Sequence, residues 1–85
     1  MSWLVNIVGK ARRGLKRLPA HDRERILCVL DELAFDPYAG DIEKIGGEIN
    51  TWRRRIGNYR IIYDVEVNQR SVEVRIIKRR SSNTY

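Results

Sequence analysis

Four arginines are the residues whose type and spacing point to chemistry: Arg53, Arg55, Arg60 and Arg79. Residues 51–56 read TWRRRI, a run rich in β-formers, and side chains alternate between the two faces of a strand. Arg53 and Arg55 therefore project to one side, and Trp52, Arg54 and Ile56 to the other. Arg60 lies just past a two-residue turn at Gly57-Asn58, and Arg79 shares the parity of the polar side of the last strand. If helices cover one face of the sheet, these four side chains gather on the open face. Guanidinium groups are fixed, bidentate donors to phosphate oxygens. Four of them converging on one groove would hold an RNA or DNA backbone and stabilise a pentacovalent phosphorane. Tyr59, Trp52 or Tyr85 offers a ring on which a base could stack.

The other reactive residue types say less. His21 falls at the start of a helix, far from the arginines, where a surface or capping role is the simplest reading. Cys28 sits within an apolar helical stretch and reads as a small core residue. A single Cys and a single His cannot form a disulfide or a zinc-binding cluster, and no cofactor or metal is expected. Arg60 has an ordinary reading too, as a partner of Asp64 or Glu66 along its own strand. Trp52 reads as packing at the core or the sheet edge, and Arg54 points inward, where it must snorkel to reach water.

The elements that position these residues follow from patterning. Eighty-five residues make one small domain, covering 1–85, with 42% hydrophobic and 33% charged residues. Residues 2–8 contain WLVNIV and read as an opening strand. Residues 10–18 set Ala11, Leu15 and Leu18 at helical spacing, and Pro19 ends that helix. Residues 20–35 repeat Ile26, Val29, Leu30 and Leu33 with the helix period. Leu27, Cys28 and Ala34 widen the stripe, and Asp36-Pro37 closes the helix. Residues 37–50, with Pro37, Gly40, Gly46 and Gly47, read as a loop. Residues 51–56 and 60–67 form strands. After a turn at Asn68-Gln69, Val72, Val74 and Ile76 alternate with Glu73, Arg75, Ile77 and Arg79 in a last strand. The expected fold is α+β in the order β-α-α-β-β-β, with two N-terminal helices packed on a twisted, mainly antiparallel sheet.

Charge is divided along the chain. The net charge is +6, yet residues 1–20 carry five basic residues and no acids, and residues 21–48 carry eight acids against three bases. Residues 49–85 carry nine bases and three acids. A basic surface seeks a polyanion, of which nucleic acid is the commonest; anionic lipid or an acidic protein satisfies the same arithmetic. The longest apolar run, residues 26–30, is too short to span a membrane. Without a signal-peptide pattern at the N-terminus, the expected location is cytoplasmic.

The segment Trp52-Arg53-Arg54-Arg55-Ile56-Gly57-Asn58-Tyr59-Arg60-Ile61-Ile62-Tyr63 resembles the signature strand pair of RelE/ParE-superfamily toxins of type II toxin–antitoxin systems. Residues 10–19 resemble the family's first helix and Asp36-Pro37 the end of its second. Lys78-Arg79-Arg80 through Tyr85 resembles its closing motif. The resemblance is strongest to the RelE branch. It implies a ribosome-dependent endoribonuclease, an mRNA interferase that cuts mRNA in the ribosomal A site and inhibits translation. The nucleophile is the RNA 2′-OH and no metal takes part. The family's site residues fall on Arg53, Arg55, Arg60 and Arg79, with Tyr85 stacking on a base of the codon. On this resemblance Arg60 and Arg79 stabilise the transition-state phosphate and Arg79 protonates the leaving 5′-oxygen.

The implied partners are a cognate antitoxin, the ribosome and mRNA, with a toxin–antitoxin heterotetramer as one assembly and no membrane partner. Two features depart from the ribonuclease pattern, one of them Arg54, which stands where an apolar inward residue is usual. Arg53 and Arg55 stand where lysine is common, and a guanidinium at Arg55 is a poor general base. The alternatives are a ParE-like inhibitor of DNA gyrase and a noncatalytic nucleic-acid-binding module on the same fold.

Overall fold

In a computed structural model, which describes residues 2–80, the alternation of buried and open side chains along residues 59–66 sets the architecture. Tyr59, Ile61, Tyr63 and Val65 are buried on one face, whereas Arg60, Ile62 and Asp64 are half-buried and Glu66 is exposed on the other. The elements in chain order are β1 (Leu4–Ile7), α1 (Gly9–Lys16), α2 (Ala20–Phe35), β2 (Ile42–Lys44), β3 (Thr51–Ile56), β4 (Tyr59–Glu66) and β5 (Ser71–Arg79). They build one five-stranded sheet in the order β1-β5-β4-β3-β2, antiparallel throughout except for the parallel pair β1–β5. The fold is α+β, with both helices against one face.

The core is formed by Ala11 and Leu15 of α1, Ile26, Val29, Leu30 and Leu33 of α2, and the inward residues of β4 and β5. The buried stripe of α2 is narrower than expected: Leu27 and Cys28 are exposed. Ile26, Val29, Leu30 and Leu33 recur at i, i+3, i+4 and i+7. Leu27 and Cys28 lie about 100° and 200° round the helix from Ile26 and so face away from the sheet. Cys28 is therefore a surface thiol rather than a core residue. Val67 is exposed as well, because β4 ends at Glu66.

α1 lies close to β5. A side chain at Gly14 would bring its Cβ within 2.9 Å of the Ile77 carbonyl oxygen, so glycine is what permits this approach.

Two features depart from the order expected from the sequence. The segment 37–50 contains a three-residue strand, β2, which pairs Ile42, Glu43 and Lys44 with Arg54, Arg53 and Trp52. Ile-Glu-Lys has too little patterning to announce a strand by itself; the free edge of β3 supplies the hydrogen bonds that make it one. The second feature is an irregularity between β4 and β5. Tyr63 faces Val74 and Ile62 faces Ile76, which leaves Arg75 as an extra residue. A β-bulge of this kind reverses the facing of everything beyond it. Val72 and Val74 are buried before the bulge, and Ile77 is buried after it.

Candidate nucleic-acid interface

Strand register assembles the open face. Arg55 stands opposite Arg60 across β3–β4, and Arg60 stands opposite Lys78 across β4–β5. Three cations from three strands thus form one transverse row, with neighbouring strands about 4.8 Å apart. Arg53 lies one level along, opposite Ile62, which in turn faces Ile76. Like charges directly opposite each other on a sheet destabilise it. A row of three is therefore a costly arrangement that a bound polyanion would relieve.

Carboxylates from the β2 region neutralise part of this surface. Arg53 is ion-paired with Glu43, and Arg55 Nε donates to Asp41 Oδ2 at 3.2 Å. Both acids are solvent-exposed, with side chains 67% and 62% accessible. Exposed pairs contribute only about 0.2–1 kcal/mol each, so a phosphate backbone can displace them. Arg60 and Lys78 make no ion pair or side-chain hydrogen bond among the described residues. Arg60 pairs with neither acid offered along its own strand, Asp64 or Glu66, and Asp64 instead accepts from Thr51 Oγ1 at 2.6 Å and pairs with Arg75 at 3.4 Å.

Arg79 does not join the row. The bulge places it opposite Tyr59, on the face that the helices cover, so the expected convergence of four arginines on the open face is a convergence of three. Lys78 occupies the fourth place. Strict alternation along residues 72–79 hides this, and only the extra residue at Arg75 reveals it.

Around Arg79 the surroundings differ from those of the open face. The Tyr59 hydroxyl donates to Asp22 Oδ2 at 2.6 Å. This hydrogen bond, with burial and the Asp22 charge, raises the Tyr59 pKa above its usual value, while Arg79 and Arg25 act in the opposite sense. Tyr85 lies outside the described residues.

Two of the rings considered for base stacking are committed elsewhere. Tyr59 is buried and tied to Asp22. Trp52 is half-buried on the helix face opposite Tyr63, and it meets Tyr38 edge-on with ring centroids 5.5 Å apart. Arg54 is buried as its parity requires. Its guanidinium donates to Glu32 Oε1 at 2.8 Å and to the Ala39 carbonyl at 3.1 Å. His21 is exposed at the first turn of α2, on a different element from the arginine row.

Residues 5–83 match the family model described as the ParE toxin of type II toxin–antitoxin systems. The chain belongs to the RelE/ParE superfamily of toxins. Toxin RelE3 of Methanocaldococcus jannaschii is 36% identical over 74 residues, 82% of each chain. The structure is similar to the archaeal RelE–RelB complex from Pyrococcus horikoshii, with TM-score 0.84 and 27% identity over 98% of this chain and 100% of that one. The isolated RelE toxin of E. coli, at 18% identity and TM-score 0.85 over 96% of this chain and 88% of that one, shares the fold. This superfamily member is a RelE-like type II toxin.

Proposed function

We propose that this RelE-like toxin is an endoribonuclease that cleaves mRNA on the ribosome and so arrests translation in the cytoplasm. The observation that carries the reading is the transverse row Arg55–Arg60–Lys78, with Arg60 and Lys78 unpaired among the described residues. In the reaction, the ribose 2′-oxygen attacks the adjacent phosphorus and passes its proton to water. The bond to the 5′-oxygen breaks, and that oxygen takes a proton from water. The products are a 2′,3′-cyclic phosphate and a 5′-hydroxyl. Arg60 neutralises charge growing on the non-bridging oxygens, and Arg53 and Arg55 hold the flanking backbone once phosphate displaces Glu43 and Asp41. Guanidinium groups keep their protons near neutral pH, so catalysis rests on charge stabilisation and on the ribosome ordering the nucleophile. Arg79 and Tyr85 enter this reading through the resemblance of the closing segment to the family's motif. The relatives solved with RelB support a cognate antitoxin as the partner that neutralises the toxin.

The test is primer extension on mRNA in a purified translation system. Breaks that require ribosomes are expected, with the same RNA left whole when ribosomes are omitted. Translation arrest on intact mRNA would overturn the nuclease reading. One finding favours a second reading: the matching family model carries the ParE name. A gyrase-directed toxin would inhibit DNA supercoiling and leave translation untouched.

A further inference from the structure

Beyond Val74, β5 has no strand neighbour on its outer edge among the described residues, since β1 pairs only with Ser71 to Val74. The chain turns from β1 directly into α1, which packs along this edge at the closeness that Gly14 permits. Between them lies a cleft of about 480 Å³ lined by Lys10, Arg13, Arg17, Ile76, Ile77 and Lys78 together with Gly14. Four of its walls are cationic and none is acidic. Lys10, Arg13 and Arg17 recur at i, i+3 and i+7 and so share one face of α1. None of these three makes an ion pair or a side-chain hydrogen bond among the described residues.

Lys78 connects this cleft to the open face, because it lines the cleft and also stands opposite Arg60 in the sheet. We propose that the α1–β5 cleft is a second backbone subsite for single-stranded RNA, one that takes a phosphate and its sugar next to the phosphate held at Arg60. Lysine and arginine side chains meet the phosphate, while the half-buried Ile76 gives the ribose an apolar contact. A strand crossing the sheet along Arg55, Arg60 and Lys78 therefore runs on into the cleft without leaving positive potential. An acidic peptide would find the same charge. The continuity with the arginine row and the mixed apolar and cationic walls favour a sugar–phosphate chain.

This inference rests on the RNA reading above, and the experiment separates the two. Binding of a short fluorescently labelled single-stranded RNA to the full chain is followed by anisotropy over a series of salt concentrations. Four proteins are compared: the unaltered chain, Arg13→Gln with Arg17→Gln, Arg60→Ala, and Arg70→Gln. Arg70 is exposed in the turn just before β5, stacked on Trp3, and controls for general loss of charge. Each phosphate contact on a single strand contributes about 0.7 to the slope of log affinity against log salt. The double substitution is expected to lower the slope by about 1 and the low-salt affinity about tenfold, well beyond the effect of Arg70→Gln.

If the double variant behaves like Arg70→Gln while Arg60→Ala weakens binding, the cleft is not a subsite and the RNA reading stands. If Arg60→Ala also binds normally, both fall. Backbone amide shifts of the unaltered chain provide a readout that needs no variant. RNA should move residues 10–17 and 76–78, whereas shifts there with a polyglutamate peptide but not with RNA would assign the cleft to a protein segment and overturn the proposal.

Discussion

Three consecutive arginines on β3 experience opposite environments. Arg54 faces the helices, and its guanidinium bridges Glu32 on α2 and the Ala39 carbonyl. Its side chain retains 10% of its accessibility. Arg53 and Arg55 face outward and pair with acids on the β2 side that remain in water. On the inner face the charge is spent on architecture. It ties the loop after α2 to the sheet, and Gly40, at φ +88°, leaves the space its guanidinium occupies. On the outer face the same residue type is held by weak contacts that an anion can replace. Residue type does not decide whether an arginine is structural or functional here; desolvation and the permanence of its partner do.

Substitutions on the two faces should therefore separate cleanly, and the largest effect belongs to the outer one. Arg60→Ala should lower ribosome-dependent cleavage about a hundredfold or more with an unchanged melting temperature. Equal losses of activity and stability would place Arg60 among the structural arginines and erase the distinction. On the inner face, Arg54→Met should cost about 2 kcal/mol in urea denaturation, because hydrogen bonds to Glu32 and Ala39 disappear from a largely dry site. Gly40→Ala should cost about 1–2 kcal/mol, through positive φ and overlap with the Arg54 guanidinium. If Gly40→Ala costs no less when combined with Arg54→Met, the two do not share that space.

The inner face also carries a pH signature. Tyr63 is fully buried and donates to the Pro37 carbonyl at 2.7 Å; burial pushes its pKa up to about 12. A raised folded-state pKa means that this contribution to stability is complete below the ordinary value of 10.0 and is lost as pH climbs towards about 12. Alkaline denaturation followed by circular dichroism should steepen in that window, and Tyr63→Phe should flatten it. The smallest effect is expected for Asp41→Asn with Glu43→Gln. Stability should change by less than about 1 kcal/mol, while RNA affinity rises because Arg53 and Arg55 no longer exchange one partner for another. A drop in RNA affinity would mean that these acids position the arginines rather than compete for them.

Much of the fold is legible in the chain itself, and for definite reasons. The α2 stripe at Ile26, Val29, Leu30 and Leu33 repeats with the helix period, and Tyr59 to Glu66 alternates with period two. Both are local patterns that survive without tertiary context. The pairing of Arg53 with Arg55 on one face and Arg54 on the other followed from the same alternation. β2 was illegible because three residues become a strand only when β3 offers an edge. The alternation of residues 72–79 puts Arg79 on the open face and hides Lys78, because the bulge at Arg75 leaves no mark in the sequence. The stacking role suggested for Tyr59 and Trp52 gave way to contacts with Asp22 and Tyr38, both distant in sequence.

The amino-acid order alone determined the elements, their sequence along the chain, the superfamily resemblance and the basic character of the last strands, since all of these are properties of neighbours a few residues apart. Tertiary structure decided which cations share a surface. That choice depends on strand register and on one inserted residue, and cross-strand hydrogen bonding acts between segments that meet only once the sheet has formed.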